Sequence, residues 1–296
     1  MEEIIPGRVT SDKLVLPVLA EKNVAVDILR LDKIHPLVSG NKWFKLRYYL
    51  EEAKKENKKT IVTYGGAWSN HILATAEACK IYNLNCIGLI RGEEPTILSS
   101  TLIQSKKSGM RLIFMSREEY RVYKIPEELN NHECYFIPEG GYGAMGVKGA
   151  STILDYCEKE KYTHICCAAG TGTMTAGLIN SSLFTNKIIA ISVLKNNLDL
   201  ENDIRLYTGD REENFQLIHD YHFGGYAKYK PALIDFMNNF YRQTTIASDF
   251  VYTGKLFFAV NDLISNNFFD EESKLIVIHS GGLQGNASLS NGTLIF

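Results

Sequence analysis

No apolar run in the chain approaches the roughly 20 residues that a bilayer-spanning helix needs. The sequence opens MEEIIPGRV, with acids where a secretory leader would carry bases before an apolar core, so a membrane protein is not expected and the cytoplasm is. Charge of one sign is missing too. The 32 basic and 34 acidic residues leave a net charge of -2, with lysine scattered rather than blocked, which argues against nucleic acid or an anionic membrane surface as the main partner. The six cysteines (Cys79, Cys86, Cys134, Cys157, Cys166, Cys167) lack C-x-x-C spacing and mostly sit in apolar runs. They read as reduced, mostly buried thiols rather than a zinc site or a disulfide framework. The seven histidines show no ligand spacing beyond His219 and His222, a pair read as structural or surface-exposed, so no metal is expected. What remains is a globular composition, 45% apolar and 22% charged, suited to a small-molecule ligand.

Short apolar runs alternate with helical patterns: VAVDIL, TIVTY, CIGLI, RLIFM, ECYFI, HICCAA, IIAISV and LIVIH are separated by segments of helical periodicity. The alternation predicts a parallel α/β sheet. No repeat, low-complexity tract or Pro/Gly-rich linker divides the 296 residues, so a second domain would arise by insertion, with the segment from about 45 to 148 as the candidate.

Four of the predicted strands run into glycine: Gly65-Gly66, Gly140-Gly141, Gly170 with Gly172, and Gly281-Gly282. Open α/β sheets bind ligands outside the carboxyl ends of their strands, where glycine allows close approach of backbone N–H groups. GTGTMTAG sets Gly170, Thr171, Gly172 and Thr173 between a strand and a helix, an anion cradle in form; the alternative is a tight turn of small residues. The third glycine is displaced to Gly177 and the following strand runs to Lys195 rather than to an acid, so a dinucleotide is disfavoured; no G-x-x-x-x-G-K-[ST] loop exists either. One compact phosphate fits better. GGAWSNH places Ser69 and Asn70 at a second helix start, where an N-cap is the plainer reading.

A third helix start is odd. Leu46, Leu50 and Ala53 recur at the spacing of one buried face, which puts Lys42 and Lys45 of SGNKWFKL in the first turn, where a cation opposes the helix dipole. An amine, a phosphate cradle and polar partners together match pyridoxal 5′-phosphate, which a lysine holds through its aldehyde. A helix N-terminus and a neighbouring cation lower a lysine's pKa, and the neutral amine is the form that attacks an aldehyde.

SGNKWFKL, GGAWSNH, GTGTMTAG, DFVYTGK and HSGG, in this order over most of the chain, resemble the 1-aminocyclopropane-1-carboxylate deaminase and D-cysteine desulfhydrase family. The resemblance implies a tryptophan-synthase-β-like (fold type II) pyridoxal-phosphate enzyme of two three-layer α/β/α domains, the smaller (45–148) inserted in the larger (1–44 and 149–296), and a homodimer. It implies that Lys42 holds the cofactor with Lys45 nearby, that Asn70 meets the ring hydroxyl, and that Gly170, Thr171, Gly172 and Thr173 hold the phosphate. Ser69 would meet the substrate carboxylate or share in proton transfer. Tyr252 resembles the family's active-site tyrosine and Tyr226 of HFGGYAKY a second one, the alternative for Tyr226 being a packed core aromatic. The chain departs from the pattern at Trp68, where glutamine is common, and at Trp43-Phe44, bulky groups expected to reshape the pocket's mouth.

Cyclopropane deaminases of the family carry Glu after the tyrosine of VYxGK and Leu before the glycine pair, whereas this chain has Thr253 and Ser280. A hydroxyl near the ring nitrogen is the desulfhydrase pattern, so the resemblance implies β-elimination from D-cysteine or a related small D-amino acid. Cyclopropane deamination is the nearest rival. A protein that binds pyridoxal phosphate without efficient catalysis is the rival of another class, with Trp43 and Trp68 blocking the substrate side.

Overall fold

The computed structural model describes residues 4–130 and 132–296; Glu2 and Glu3 of the acidic start lie outside them. Ten strands form: β1 (Ser11–Lys13), β2 (Ala25–Arg30), β3 (Thr60–Gly65), β4 (Asn85–Arg91), β5 (Met110–Met115), β6 (Cys134–Ile137), β7 (His164–Ala169), β8 (Lys187–Ser192), β9 (Phe215–Ile218) and β10 (Lys274–His279). The eight predicted runs are all strands. The two additions, β1 and β9, are only three and four residues long and too short to make a pattern.

Two sheets result. One has the order β1-β2-β10-β7-β8-β9 and the other β5-β4-β3-β6. All pairs are parallel except β1 with β2, an antiparallel strand on the edge. Parallel sheets need both faces covered, and β7 is buried at every residue. The helices that cover them are α1 (Pro17–Glu21), α2 (Asn41–Lys55), α3 (Asn70–Ile81), α4 (Ser100–Lys107), α5 (Arg117–Arg121), α6 (Ala144–Ala150), α7 (Thr173–Ser181), α8 (Leu200–Arg205), α9 (Pro231–Thr244) and α10 (Thr253–Ser265).

Strand alternation sorts the core into layers. Leu29, Ile165 and Ile276 join Leu46 and Leu50 of α2, Ile72 of α3, Val147 of α6 and Leu178 of α7 in one core that also takes in Ile61 and Ile137 of the smaller sheet. Ile28, Cys166 and Leu275, pointing the other way, pack with Leu256 and Val260 of α10. Val62, Tyr64 and Leu89 face the outside of the smaller sheet. The first core couples the two sheets, each fully buried Leu or Ile contributing about 1.5–3 kcal/mol by removal from water. All six cysteines are free, and all but Cys157 are buried. Among the described residues no helix is long and apolar enough to cross a membrane.

Candidate active site

Strand order locates the site. β7 and β10 are neighbours in the larger sheet, and β3 and β6 are neighbours in the smaller one. Open α/β sheets bind ligands in the crevice beyond the carboxyl ends of such strands. The four glycine-bearing loops are the ones that follow these four strands. They meet in a cavity of about 1080 Å³, lined by Gly66, Gly140, Gly170, Gly172, Gly281 and Gly282 among others.

Lys42 reaches this cavity because α2 begins against the end of β10. Gly40 caps α2 with φ of +63°, and a Cβ there would lie 1.7 Å from the carbonyl oxygen of Ser280, so only glycine permits the approach. The Asn41 N–H donates to that same carbonyl at 3.1 Å. Ser280 and Lys42 therefore line one cavity.

Neither lysine is solvated as a surface lysine would be. Burial brings Lys42 down to about 8, with Asp249 pulling the other way, and its Nζ donates to Asn41 Oδ1 at 3.2 Å. Lys45, one turn further on, is 4% exposed and lies well below the ordinary lysine value because of burial first and the charge of Lys42 second. Among the described residues no carboxylate pairs with it. A buried amine whose charged form is so disfavoured suits an anion brought from outside the chain, which would restore the charge.

The cradle opposite answers this. Gly172 caps α7 with φ of +74°, where a Cβ would come within 2.7 Å of Ile204. Gly170, Thr171 and Gly172 line the cavity, at the positive end of α7. Thr173 stands behind them, 1% exposed, with its hydroxyl 3.0 Å from that of Thr171.

From the smaller sheet, Ser69 caps α3 and its Oγ accepts the Ile72 N–H at 3.3 Å, which leaves its hydroxyl proton free to donate. The N-cap and functional readings of Ser69 are thus compatible. Asn70 donates Nδ2 to the Gly282 carbonyl at 3.1 Å, bridging loops of the two sheets, and its Oδ1 is buried with no partner. His71 follows. Its partner Thr63 donates to Ile137 O at 2.8 Å, so Nε2–H of His71 donates to Thr63, and Nδ1 is an unpartnered acceptor.

Tyr226 and Tyr252 both line the cavity, ring centroids 6.4 Å apart. Burial raises both phenols above the ordinary tyrosine value, with Glu139 next for Tyr226 and Tyr226 itself next for Tyr252, so both hold their protons at neutral pH.

Thr253 is elsewhere. It is fully buried and absent from the cavity wall; its hydroxyl donates to Asp249 Oδ1 at 2.8 Å and accepts the Asp249 N–H at 2.8 Å. As the first residue of α10, Thr253 folds its side chain back to close the helix start, which sets it off the wall where the sequence pattern expected it. Trp43 also departs from expectation: it is 8% exposed, off the cavity wall and stacked on Tyr82, while Trp68 does sit on the cavity at 39% exposure.

Sequence reasoning missed Asp249. This buried carboxylate accepts the N–H groups of Val251, Tyr252 and Thr253, at 2.9, 2.9 and 2.8 Å, and acts on both Lys42 and Lys255. An acid four residues ahead of a threonine at a helix start was the available signal. Glu139, Asp203 and Arg91 also line the cavity without having been anticipated. Among the described residues no group of His, Cys, Asp and Glu is placed to hold a metal ion.

Comparison with known proteins gives the family. The family model for pyridoxal-phosphate dependent enzymes matches residues 16–281. A putative 1-aminocyclopropane-1-carboxylate deaminase of Thermotoga maritima is 30% identical over 90% of this chain and 92% of its own. The bifunctional D-cysteine desulfhydrase/1-aminocyclopropane-1-carboxylate deaminase of Arabidopsis thaliana is 27% identical, over 84% of this chain and 70% of its own. Among solved structures, that of an ACC deaminase homologue superposes with a TM-score of 0.81 at 27% identity, covering 96% of this chain and 92% of the other. The architecture is that of fold type II pyridoxal-phosphate enzymes, and the chain belongs to the pyridoxal-phosphate-dependent enzyme family, within its 1-aminocyclopropane-1-carboxylate deaminase and D-cysteine desulfhydrase group.

Proposed function

We propose that the chain is a lyase that eliminates the β-substituent of a small D-amino acid, D-cysteine foremost, giving pyruvate, ammonia and sulfide. One observation carries the choice within the family: the cavity wall beyond β10 is made by Ser280, Gly281 and Gly282 and has no carboxylate, those of Glu139 and Asp203 lying elsewhere on the lining, and Thr253 is turned away to Asp249. A hydroxyl there leaves a ring nitrogen largely neutral and a weaker electron sink, which weighs against the harder opening of a cyclopropane that has no α-hydrogen.

The residues fit the cofactor. Lys42 would hold its aldehyde carbon, Asn70 its ring hydroxyl through an otherwise orphaned amide, and Ser280 its ring nitrogen. Lys45, with Gly170, Thr171 and Gly172 and with Thr173 behind them, would hold its phosphate, an anion that a helix N-terminus favours and that would restore the charge on a buried lysine. When bound, pyridoxal phosphate supplies an electron sink for the pair left behind as the α-proton departs.

The chain's own groups do the rest. The start of α3 and the free Ser69 hydroxyl proton bind the substrate carboxylate, as a positive helix end favours. Lys42, with a pKa of about 8, takes the α-proton at Nζ, directly or through Ser69. Tyr252, with Tyr226 beside it, holds a phenol proton for the departing sulfur. The Cα–H and Cβ–S bonds break, and the carbon skeleton leaves as pyruvate after water replaces the amine. The same reading assigns residues 45–148 to the smaller domain, supported by the confinement of β3 to β6 to residues 60–137.

Trp43 gives the blocked, non-catalytic alternative no support, since it stacks on Tyr82 off the cavity wall; Trp68, which does line the cavity, is what that alternative still rests on. Incubation of the protein and pyridoxal phosphate with D-cysteine, L-cysteine and 1-aminocyclopropane-1-carboxylate tests the proposal. Pyruvate and sulfide from D-cysteine are expected. Formation of 2-oxobutanoate from the cyclopropane substrate without sulfide from D-cysteine would overturn it in favour of the deaminase.

A further inference from the structure

Tyr226 stands on a turn whose backbone is unfavourable by itself. Phe223 and Ala227 have φ of +52° and +51°, and between them Gly224 and Gly225 have φ of +102° and +113°. Left-handed backbone in residues that carry a Cβ persists only where the surroundings impose it. Something must hold this turn.

The holder is Lys255. It lies in the first turn of α10 with no exposure, and its ammonium donates to three backbone carbonyls: Gly225 at 2.7 Å, His222 at 2.8 Å and Val193 at 3.3 Å. Three protons meet three acceptors, so the group is saturated. The His222 and Gly225 carbonyls also accept the Gly225 and Lys228 N–H groups of the turn itself, at 2.9 and 3.2 Å. The ammonium thus binds the inward oxygens of the turn as they are already arranged. Burial brings Lys255 down to about 8, with Asp249 opposing, so the charge is present at neutral pH.

Tyr252 is the cap residue of the same helix, three positions before Lys255. Whatever ties the turn to the start of α10 ties Tyr226 to Tyr252. We propose that Lys255 is a positioning residue: its ammonium fastens the 222–228 turn to α10 and thereby sets Tyr226 against Tyr252 on the cavity wall. The contribution to turnover rests on the active-site reading of the two tyrosines; the contribution to the turn does not.

The test is Lys255→Met, read in two ways. Backbone hydrogen exchange, followed by mass spectrometry, is expected to rise by about tenfold or more in peptides covering residues 219–229, with peptides from β7 and β10 unchanged. In a double-mutant cycle on kcat/KM, Lys255→Met is expected to cost about tenfold in the chain with Tyr226 and under about twofold once Tyr226→Phe is present. A folded variant with wild-type exchange in residues 219–229, a uniform rise across the larger sheet, or losses that simply multiply would each overturn the proposal. If Lys255→Met fails to fold, Gly225→Ala strains the same turn and leaves the ammonium intact, since its Cβ would lie 3.2 Å from that of Lys195. It must then reproduce the local exchange, and wild-type exchange and kinetics in that variant would overturn the proposal. Absence of D-cysteine turnover in every chain counts against the elimination reading alone, because the exchange result stands without it.

Discussion

The first turns of α2 and α10 each bury a lysine, and each lysine is brought down to about 8 by burial with Asp249 opposing. Their surroundings differ. Lys255 gives all three protons to carbonyls, whereas Lys42 donates to Asn41 Oδ1 at 3.2 Å and otherwise faces a cavity with an orphaned amide oxygen nearby. A perturbed pKa alone would rank the two equally as catalytic candidates. The unused donors are what separate chemistry from construction.

The sharpest way to break this comparison is to delete the free amine. Lys42→Ala is expected to lower turnover of D-cysteine by about 10²–10⁴-fold, the range for removal of a positioned proton-transfer group, without lowering the melting temperature, since a buried lysine of depressed pKa costs stability at neutral pH. Full turnover in that variant would remove Lys42 from the mechanism and leave its burial without a purpose.

Asp249 connects the two helix starts. Asp249→Asn keeps the shape but loses the charge that holds three N–H groups and steadies both lysines, so stability is expected to fall by about 2–4 kcal/mol, read by urea unfolding. Lys42 should at the same time titrate lower, because its one opposing influence is gone. A wild-type titration of Lys42 in the folded variant would dissociate the two helices.

Reactivity makes the contrast direct. Reductive methylation of the cofactor-free protein at pH 8, quantified by peptide mass spectrometry, is expected to modify Lys42 at least about tenfold faster than Lys255. Their pKa values match, but the Lys255 amine has no exposed surface. Equal rates would mean that the three carbonyls do not hold.

How much of this was legible in the sequence follows from geometry. Parallel strands buried on both faces write themselves as apolar runs, so β2 to β8 and β10 could be read, while SDK of β1, exposed at both ends on a sheet edge, could not. Glycine at four strand ends located the cavity, because close backbone approach has few other solutions. A motif places its residues only by their order, and order along the chain is not direction in space. Trp43 follows Lys42, and Thr253 follows Tyr252, yet one step along a helix turns a side chain by about 100°. That rotation carries Trp43 to Tyr82 and Thr253 to Asp249. Asp249 escaped notice because its importance lies in a charge shared with two lysines, one of them distant in sequence.

The mildest effect is in pH. A lysine at the ordinary 10.5 would gain neutral amine about a hundredfold between pH 7 and pH 9 with no plateau, whereas one at about 8 goes from ~0.1 to ~0.9 neutral and then levels off, a rise of about tenfold. The rate at which the cofactor-free protein captures pyridoxal phosphate, followed by absorbance, should therefore climb through pH 8 and flatten by pH 9. Linkage gives an independent sign. The unfolded chain keeps this proton up to about 10.5 while the folded chain releases it near 8, so the unfolded state binds more protons in that window and the stability of the cofactor-free protein should rise with pH across it. Lys255 carries the same shift and adds to the same slope, so Lys42→Met should flatten the capture profile entirely but remove only part of the stability slope. A capture rate still climbing steeply at pH 9.5 would return Lys42 to an ordinary solvated amine and end the comparison with Lys255.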